Sequence, residues 1–284
     1  MSPQWLSLAF LFFLAPATIL RAIQPEESFH QKTWETLSDR NVSDWGQTAL
    51  QIQPNHWKHG ETDHFIIHCF LGGEMIGRRC EKFYAEIKEF FGNRPDLLQG
   101  RKSHIFAFNN FRDWEEFEHS VTDMRIAGIT RGNEFFYIAT TEMGQYDSRG
   151  TVQAHEMTHL VFNRFFKGRP PLWLNEGIAE YFGERKTTGL AEFRRRMGSA
   201  WKFNLDKLFS TGMYPRQAAD IQSFYAESAI VVDFLTKTPE RLALLPKFVD
   251  AMIADPDMDM AVQIYGYKDL AEFKSAYARY RQSF

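Results

Sequence analysis

The spacing of hydrophobic residues changes along the chain at about residue 147. Before it, short apolar runs predict strands at 64–70, at 103–108 and as one or two strands of a hairpin within 126–141. A helical repeat from Ile76 to Phe91 separates the first two runs, and an acidic segment at 113–119 predicts a short helix. After it, helical patterns predominate, at 148–166, 171–185, 189–200, 224–237, 239–253 and 267–282.

This order of elements predicts an α+β fold. We expect a small mixed sheet with packed helices over 60–166 and an α-helical lobe over 167–284, with the active site between them. The polar segment 23–59 precedes both parts and is expected to be an extended or partly helical lead-in. A chain of 284 residues that is 44% hydrophobic can bury a large core, so disorder is not expected over most of it.

The first 22 residues resemble an export signal. An apolar stretch from Trp5 to Leu14 is followed by the small residues Ala15 and Ala17, which is typical of a signal peptide cleaved after Ala17 or Ala22. Because no Lys or Arg precedes the apolar stretch, an uncleaved membrane anchor is the alternative. Both alternatives predict that the body of the protein is exported, into the periplasm or outside the cell.

Charge gives no reason to expect a nucleic-acid partner or an anionic membrane surface, because 33 basic and 36 acidic residues leave a net charge of -3. The chain has two cysteines, whose state depends on the redox conditions of the compartment. In an oxidising environment Cys69 and Cys80 could form a disulfide, but one lies in a predicted strand and the other in a predicted helix. Two buried free thiols are therefore favoured over a disulfide.

The segment TVQAHEMTHL at 151–160 contains the pattern His-Glu-x-x-His within a predicted helix that Asp147 or Ser148 opens. Residues four apart on a helix differ by about 40° and lie about 6 Å apart, so His155 and His159 can bind one ion. Glu156, offset by about 100°, can accept a hydrogen bond from a nearby water without ligating. A solvated polar face is the alternative, but this helix is apolar around much of its circumference, and buried imidazoles need partners.

A third ligand is available after His159, with 16 residues between the two positions. The run Gly-Arg-Pro-Pro at 168–171 breaks the first helix, and a second helix begins with LWLNEGIAEYF at 172–182. This interval allows an antiparallel return that brings Glu176 to the ion. Two histidines and one glutamate leave a fourth position open, which is typical of catalytic rather than structural zinc sites.

The pair HEMTH and WLNEGIAEYF resembles the gluzincin metallopeptidases, and the match covers about 65–235 in overall order. More narrowly, the mature chain resembles the compact peptidase-MA-like proteins of bacteria. The resemblance implies a zincin-like fold and a zinc-dependent peptidase. It further implies that one Zn²⁺ per chain is bound by His155, His159 and Glu176. Glu156 would then be the general base of peptide hydrolysis.

The resemblance also implies roles for two further side chains. Glu180, one turn after Glu176, would orient a ligand imidazole through its distal N–H, and an exposed helical carboxylate is the alternative. Tyr225, in FYAESA at 224–229, would stabilise the developing oxyanion with its hydroxyl, and buried aromatic packing is the alternative.

The expected partner is a peptide or protein substrate. Gluzincin substrates lie extended against an edge strand, which we expect at 133–140. This strand lacks the Gly-x-Met-Glu-Asn pattern by which aminopeptidases grip a free amino terminus, so endopeptidase activity is favoured. Two other functions stay open: a non-catalytic binding or scaffold module that retains zinc, against which the intact Glu156 argues, and a zinc hydrolase of a non-peptide amide or cell-wall crosslink.

Overall fold

The computed structural model describes residues 29–91, 94–122, 126–139, 147, 149–198, 200 and 202–284. The predicted signal peptide or anchor over 1–22 lies outside these residues, as does Ser148. Among the helices that are described, none combines the length and the apolar character needed to cross a bilayer.

A mixed sheet occupies the first half of the described chain. Its strands are β1 His30–Lys32, β2 Lys58–Glu61, β3 Phe65–Cys69, β4 Ser103–Phe108, β5 Gly128–Arg131 and β6 Glu134–Ile138. Their order across the sheet is β1-β2-β3-β4-β6-β5. Strands β3, β4 and β6, three of the four inner strands, are parallel and buried throughout, which explains their continuous apolar runs. The remaining neighbours pair antiparallel.

Helices follow and flank the sheet, which confirms the predicted α+β class. They are α1 Asp44–Gln51, α2 Gly73–Phe91, α3 Phe111–Val121, α4 Thr151–Phe165, α5 Leu172–Glu180, α6 Leu190–Gly198, α7 Leu205–Ser210, α8 Ala218–Leu235, α9 Pro239–Leu242, α10 Leu245–Ala254, α11 Met258–Ala261 and α12 Leu270–Arg281. A π-helical segment, Tyr181–Lys186, directly follows α5.

The two faces of the sheet belong to different cores because successive side chains of a strand point to opposite faces. One face, with Ile67, Ile105 and Phe135, joins α2, α4 and the helical lobe in one large cluster. The other, with Phe106 and Phe136, packs in a smaller cluster that includes residues of α1 and α3. The helix that carries the His-Glu-x-x-His pattern therefore lies on the larger core.

The lead-in segment contributes more to the sheet than its polar sequence indicated. It supplies β1, α1 and the first half of β2, so that the sheet extends across the expected boundary at residue 60. Ser43 caps α1 and its backbone N–H donates to Glu134 of β6 at 2.5 Å. These contacts join the segment from residue 29 onward to the sheet.

Both cysteines are buried free thiols, as the sequence favoured. Cys69 lies on β3 and Cys80 lies on α2, where it accepts a hydrogen bond from the Gln153 amide at 3.0 Å. Burial raises the pKa of Cys69 to about 11 and raises that of Cys80 further. Neither thiol is therefore a reactive thiolate at neutral pH.

Candidate metal centre

Helix α4 begins at Thr151 with Gly150 at the N-cap position, three residues later than the expected opening at Asp147, but Asp147 still binds its first turn. The Asp147 carboxylate accepts hydrogen bonds from the backbone N–H groups of Val152 at 3.2 Å and Gln153 at 2.9 Å. A carboxylate in this position satisfies orphan N–H groups and complements the positive end of the helix dipole. The following turns of α4 pack against α2, α5, β5 and β6, which fixes the two histidines relative to the sheet.

The structure brings His155, His159 and Glu176 together. The Nε2 atoms of the two histidines lie 3.1 Å apart, and Oε2 of Glu176 lies 3.4 Å from Nε2 of His155 and 3.5 Å from that of His159. All three potential ligand atoms lie within 4.8 Å of one another. In the part of the chain that the structure describes, no second group of His, Cys, Asp and Glu side chains meets this criterion.

These three atoms fit a divalent metal ion. Glu176 is only 1% exposed, and its Oε2 atom has no hydrogen-bond partner among the described residues. A buried carboxylate oxygen without a partner is costly unless a cation or donor satisfies it. Two imidazole nitrogens and one carboxylate oxygen form a donor set that zinc accepts, with a fourth position left open.

Two side chains hold the ligands in orientation. Oε1 of Glu180 lies 3.2 Å from Nδ1 of His155, so Nε2 of that ring remains directed at Glu176. The Glu180 side chain is 17% exposed, which argues against the alternative of a solvated surface carboxylate. On the other side, the Tyr214 hydroxyl donates to Oε1 of Glu176 at 2.6 Å and leaves Oε2 toward the histidines.

Carboxylates outnumber histidines around the candidate metal centre. Burial alone would raise the pKa of Glu176, but His159 and His155 hold it well below its usual value. Burial opposes a charge on His155, yet the nearby carboxylates of Glu176 and Glu180 raise the pKa of that ring well above 6.5. Three carboxylates, with Glu156 the third, therefore surround two histidines, an arrangement that favours a bound cation.

Glu156 projects from α4 toward β5. Its Oε2 atom accepts a hydrogen bond from the Thr130 hydroxyl at 2.8 Å, and burial raises its pKa above the usual value. Gly128 permits this approach, because a Cβ there would lie 2.9 Å from Cγ of Glu156. Glu156 thus borders the metal centre without belonging to the three-residue ligand group.

The edge strand next to α4 differs from the one expected. Residues 134–138 form β6, which lies between β4 and β5 and is therefore an inner strand. The edge is β5, which pairs with β6 through a reversal at Gly132. The expectation of an edge at 133–140 was wrong because a continuous apolar run is typical of an inner strand, whereas β5 is only half-buried.

Tyr225 lies on α8 beside the metal centre. Its ring centroid is 6.2 Å from that of His155, and the Tyr214 ring stacks on its other side at 6.2 Å. Burial and Glu176 raise its pKa, so that the phenol keeps its proton and can donate a hydrogen bond. Tyr214 was not predicted, because it lies between α7 and α8 in a segment with no periodic pattern.

A glycine brings α8 close to the ligands. A Cβ on Gly177 would lie 2.5 Å from the Ser228 carbonyl oxygen and 2.8 Å from Cγ2 of Val232. The backbones of α5 and α8 therefore touch directly after Glu176. This close packing is the physical reason for a glycine in the Asn-Glu-Gly sequence, and it places Tyr225 opposite the two histidines.

A cleft opens on both sides of His155. On one side, a cavity of about 170 Å³ is lined by residues that include Glu176, Tyr214 and Arg169. On the other, a cavity of about 220 Å³ is lined by residues that include Val152 and Glu184, and we call it the Glu184 pocket. Both cavities share five lining residues: Ile126, Gly128, His155, Glu156 and Tyr225.

Neither a scan against protein-family models nor a search of curated proteins finds a match for this chain. The functional interpretation therefore rests on the residues of the site.

Proposed function

We propose that this chain is a zinc-dependent peptidase with a zincin-like fold, whose metal is held by His155, His159 and Glu176. The observation that carries the proposal is the convergence of their three ligand atoms within 4.8 Å at an open cleft. A fourth side chain, Glu156, lines the same cleft and is suited to acid–base chemistry.

The proposed mechanism assigns separate tasks to the side chains around the cleft. Zinc, when bound, supplies a Lewis acid that polarises the scissile carbonyl and makes water a stronger acid. Glu156 accepts a proton from the attacking water and later delivers it to the leaving amine. Its raised pKa brings it closer to the neutral range in which one group can do both. The Tyr225 hydroxyl donates a hydrogen bond to the oxyanion that forms on the carbonyl oxygen.

The substrate of the proposed reaction is an extended peptide that adds to the edge of the sheet along β5. Gly128 and Thr130 of this strand lie against Glu156, so a peptide there would pass the general base. Endopeptidase activity is favoured over aminopeptidase activity because cavities lie on both sides of His155, giving room for residues on each side of the scissile bond. The N-terminal sequence supports export, into the periplasm or outside the cell.

The test compares the purified protein with a Glu156→Gln variant. We expect both to bind about one zinc per chain, and only the parent to cleave a peptide library in a chelator-sensitive way. Glu192→Gln is the matched control, because this half-buried carboxylate pairs with Arg195 and lines neither cavity of the cleft, and it should behave like the parent.

The same assay separates the alternatives. Zinc binding without cleavage of any peptide by the parent would favour a binding module. Cleavage restricted to added cell-wall fragments or non-peptide amides would redirect the proposal to another amide hydrolase. A folded parent that binds no zinc would refute the proposal.

A further inference from the structure

The Glu184 pocket contains a carboxylate that the proposed mechanism does not use. Glu184 lies on the π-helical segment that follows α5 and is only 7% exposed. Its Oε1 atom accepts a hydrogen bond from the Arg196 guanidinium. Its Oε2 atom is buried and has no hydrogen-bond partner among the residues that the structure describes. A buried oxygen in this state lacks a donor that a ligand could supply.

The chemistry of the pocket indicates which donor fits. Three of its lining residues are carboxylates, Glu156, Glu180 and Glu184, whereas no Lys or Arg is among the lining residues that the structure describes. The rest of the lining includes apolar groups, among them Ile126 and Val152. A cavity of about 220 Å³ with apolar walls and acidic groups suits a long aliphatic side chain with a cationic end.

We propose that the Glu184 pocket is a specificity subsite for a basic residue of the substrate, lysine or arginine, next to the scissile bond. Oε2 of Glu184 accepts a hydrogen bond from the cationic end, while Ile126 and Val152 contact the aliphatic stem. This inference rests on the proposed peptidase function, because a specificity subsite requires a neighbouring site of cleavage. His155 and Glu156 line both cavities, so the pocket adjoins that site.

Arg196 forms an ion pair with Glu184 and provides a second test of the proposed subsite. Its guanidinium neutralises part of the Glu184 charge through Oε1 and thereby weakens the attraction for a second cation. Removal of Glu184 and removal of Arg196 should therefore have opposite effects on selectivity for a basic residue. A purely structural role of the ion pair predicts the same direction for both.

The test measures peptide binding without hydrolysis. The Glu156→Gln variant is titrated by calorimetry with two blocked pentapeptides, both alanine except for a central lysine in one and the uncharged norleucine in the other. We expect the lysine peptide to bind at least about tenfold more tightly, as a charge-assisted hydrogen bond would give. Adding Glu184→Gln should reduce this ratio to about one, and adding Arg196→Gln should increase it.

Glu192→Gln in the same background is the matched control and should leave the ratio unchanged, because its carboxylate pairs with Arg195 outside the pocket. Thermal unfolding of each variant verifies folding, and the Arg196→Gln result decides alone if the Glu184→Gln protein does not fold. A ratio near one in the starting background, no binding of the lysine peptide, or a ratio that neither substitution moves overturns the inference.

The measurements distinguish a failure of the proposed subsite from a failure of the proposed peptidase function. If the lysine peptide binds with the expected selectivity but the parent cleaves no peptide, the basic subsite stands and the peptidase function does not. If the parent cleaves peptides with no preference for a basic residue beside the scissile bond, the peptidase function stands and the subsite is refuted.

Discussion

Oε1 of Glu180 lies 3.2 Å from Nδ1 of His155, one helical turn after the ligand Glu176. The contact fixes the imidazole with Nε2 toward His159 and Glu176, and it makes the ring a stronger base because a carboxylate faces its other nitrogen. Glu176 and Glu180 therefore act on the same ring from two sides. This relationship supports the role that the resemblance to gluzincins implied for Glu180.

Replacement of Glu180 by alanine should lower zinc affinity by about 10- to 100-fold while leaving the fold intact, because the ring loses its orienting partner. Competition with a chromophoric chelator measures the change. Glu192→Ala, at a half-buried carboxylate on α6 that pairs with Arg195, should leave zinc affinity unchanged. Equal affinities in the parent and the Glu180→Ala protein would show that the contact does not support the metal.

The two stacked tyrosines should have separable effects. Tyr214→Phe removes the hydrogen bond to Glu176 and should lower zinc affinity by about tenfold, the usual value of a hydrogen bond to a charged group. Tyr225→Phe should leave zinc affinity unchanged but lower kcat by about 100-fold with KM little altered, since its hydroxyl would act mainly on the oxyanion. Zinc titration and steady-state kinetics of both variants test the assignment, which is wrong if the two patterns are exchanged.

Gly177→Ala should destabilise the protein by about 1–3 kcal/mol, because the added Cβ would overlap the Ser228 carbonyl and force α5 and α8 apart. The free energy of unfolding in urea measures this effect. Gly212→Ala is the matched control, since no atom lies within 4 Å of a Cβ there, and it should change stability little. Equal stability of the two variants would mean that the helices can separate without cost.

The grouping of His155, His159 and Glu176 could be predicted from the sequence largely because its geometry is local. His155 and His159 are four residues apart on one helix, and the break at 168–171 returns the chain to bring Glu176 alongside them. Strands β3, β4 and β6 were predictable for a similar reason, since full burial produces continuous apolar runs such as that of β4.

Other features depend on contacts between distant parts of the chain, which no local pattern encodes. The position of β5 at the edge follows from the parallel pairing of β6 with β4, and strand order is not visible in a strand's own sequence. Tyr214 reaches Glu176 across 38 residues from an irregular segment. The lead-in also contacts the sheet through a row of histidines, His59 on β2, His68 on β3 and His104 on β4. Histidine is only intermediate in its tendency to be buried, so its sequence position does not predict such a row.

This row crosses three neighbouring strands and should make stability depend on pH. His59 Nδ1 lies 2.8 Å from His68 Nδ1, and His68 Nε2 lies 3.0 Å from His104 Nδ1, with Trp34 packed over the first two rings. Burial lowers the pKa of all three, that of His104 to about 4. Glu35 faces His59, and the charged groups near His104 are Asp39, Arg101 and Glu61.

The sign of the effect follows from the lowered pKa values. Below about pH 6.5 the unfolded chain binds protons that the folded chain does not, so the free energy of unfolding should fall as pH drops from about 6.5 toward 4. His104 alone should account for a loss of about 2 kcal/mol between about pH 7 and pH 5. Urea unfolding at these two pH values measures the loss.

His104→Gln should flatten this pH dependence, because the variant has no proton to take up at this position on unfolding. His119→Gln, at an exposed position on α3, serves as the control and should retain the parent's slope. Burial alone would raise the pKa of Glu61, but Lys102, Ser38 and Lys32 lower it to about 2. The contribution of Glu61 to stability is therefore lost only at lower pH and does not affect the comparison between pH 7 and pH 5. An unchanged slope in His104→Gln would show that the histidine row does not set the acid sensitivity of the fold.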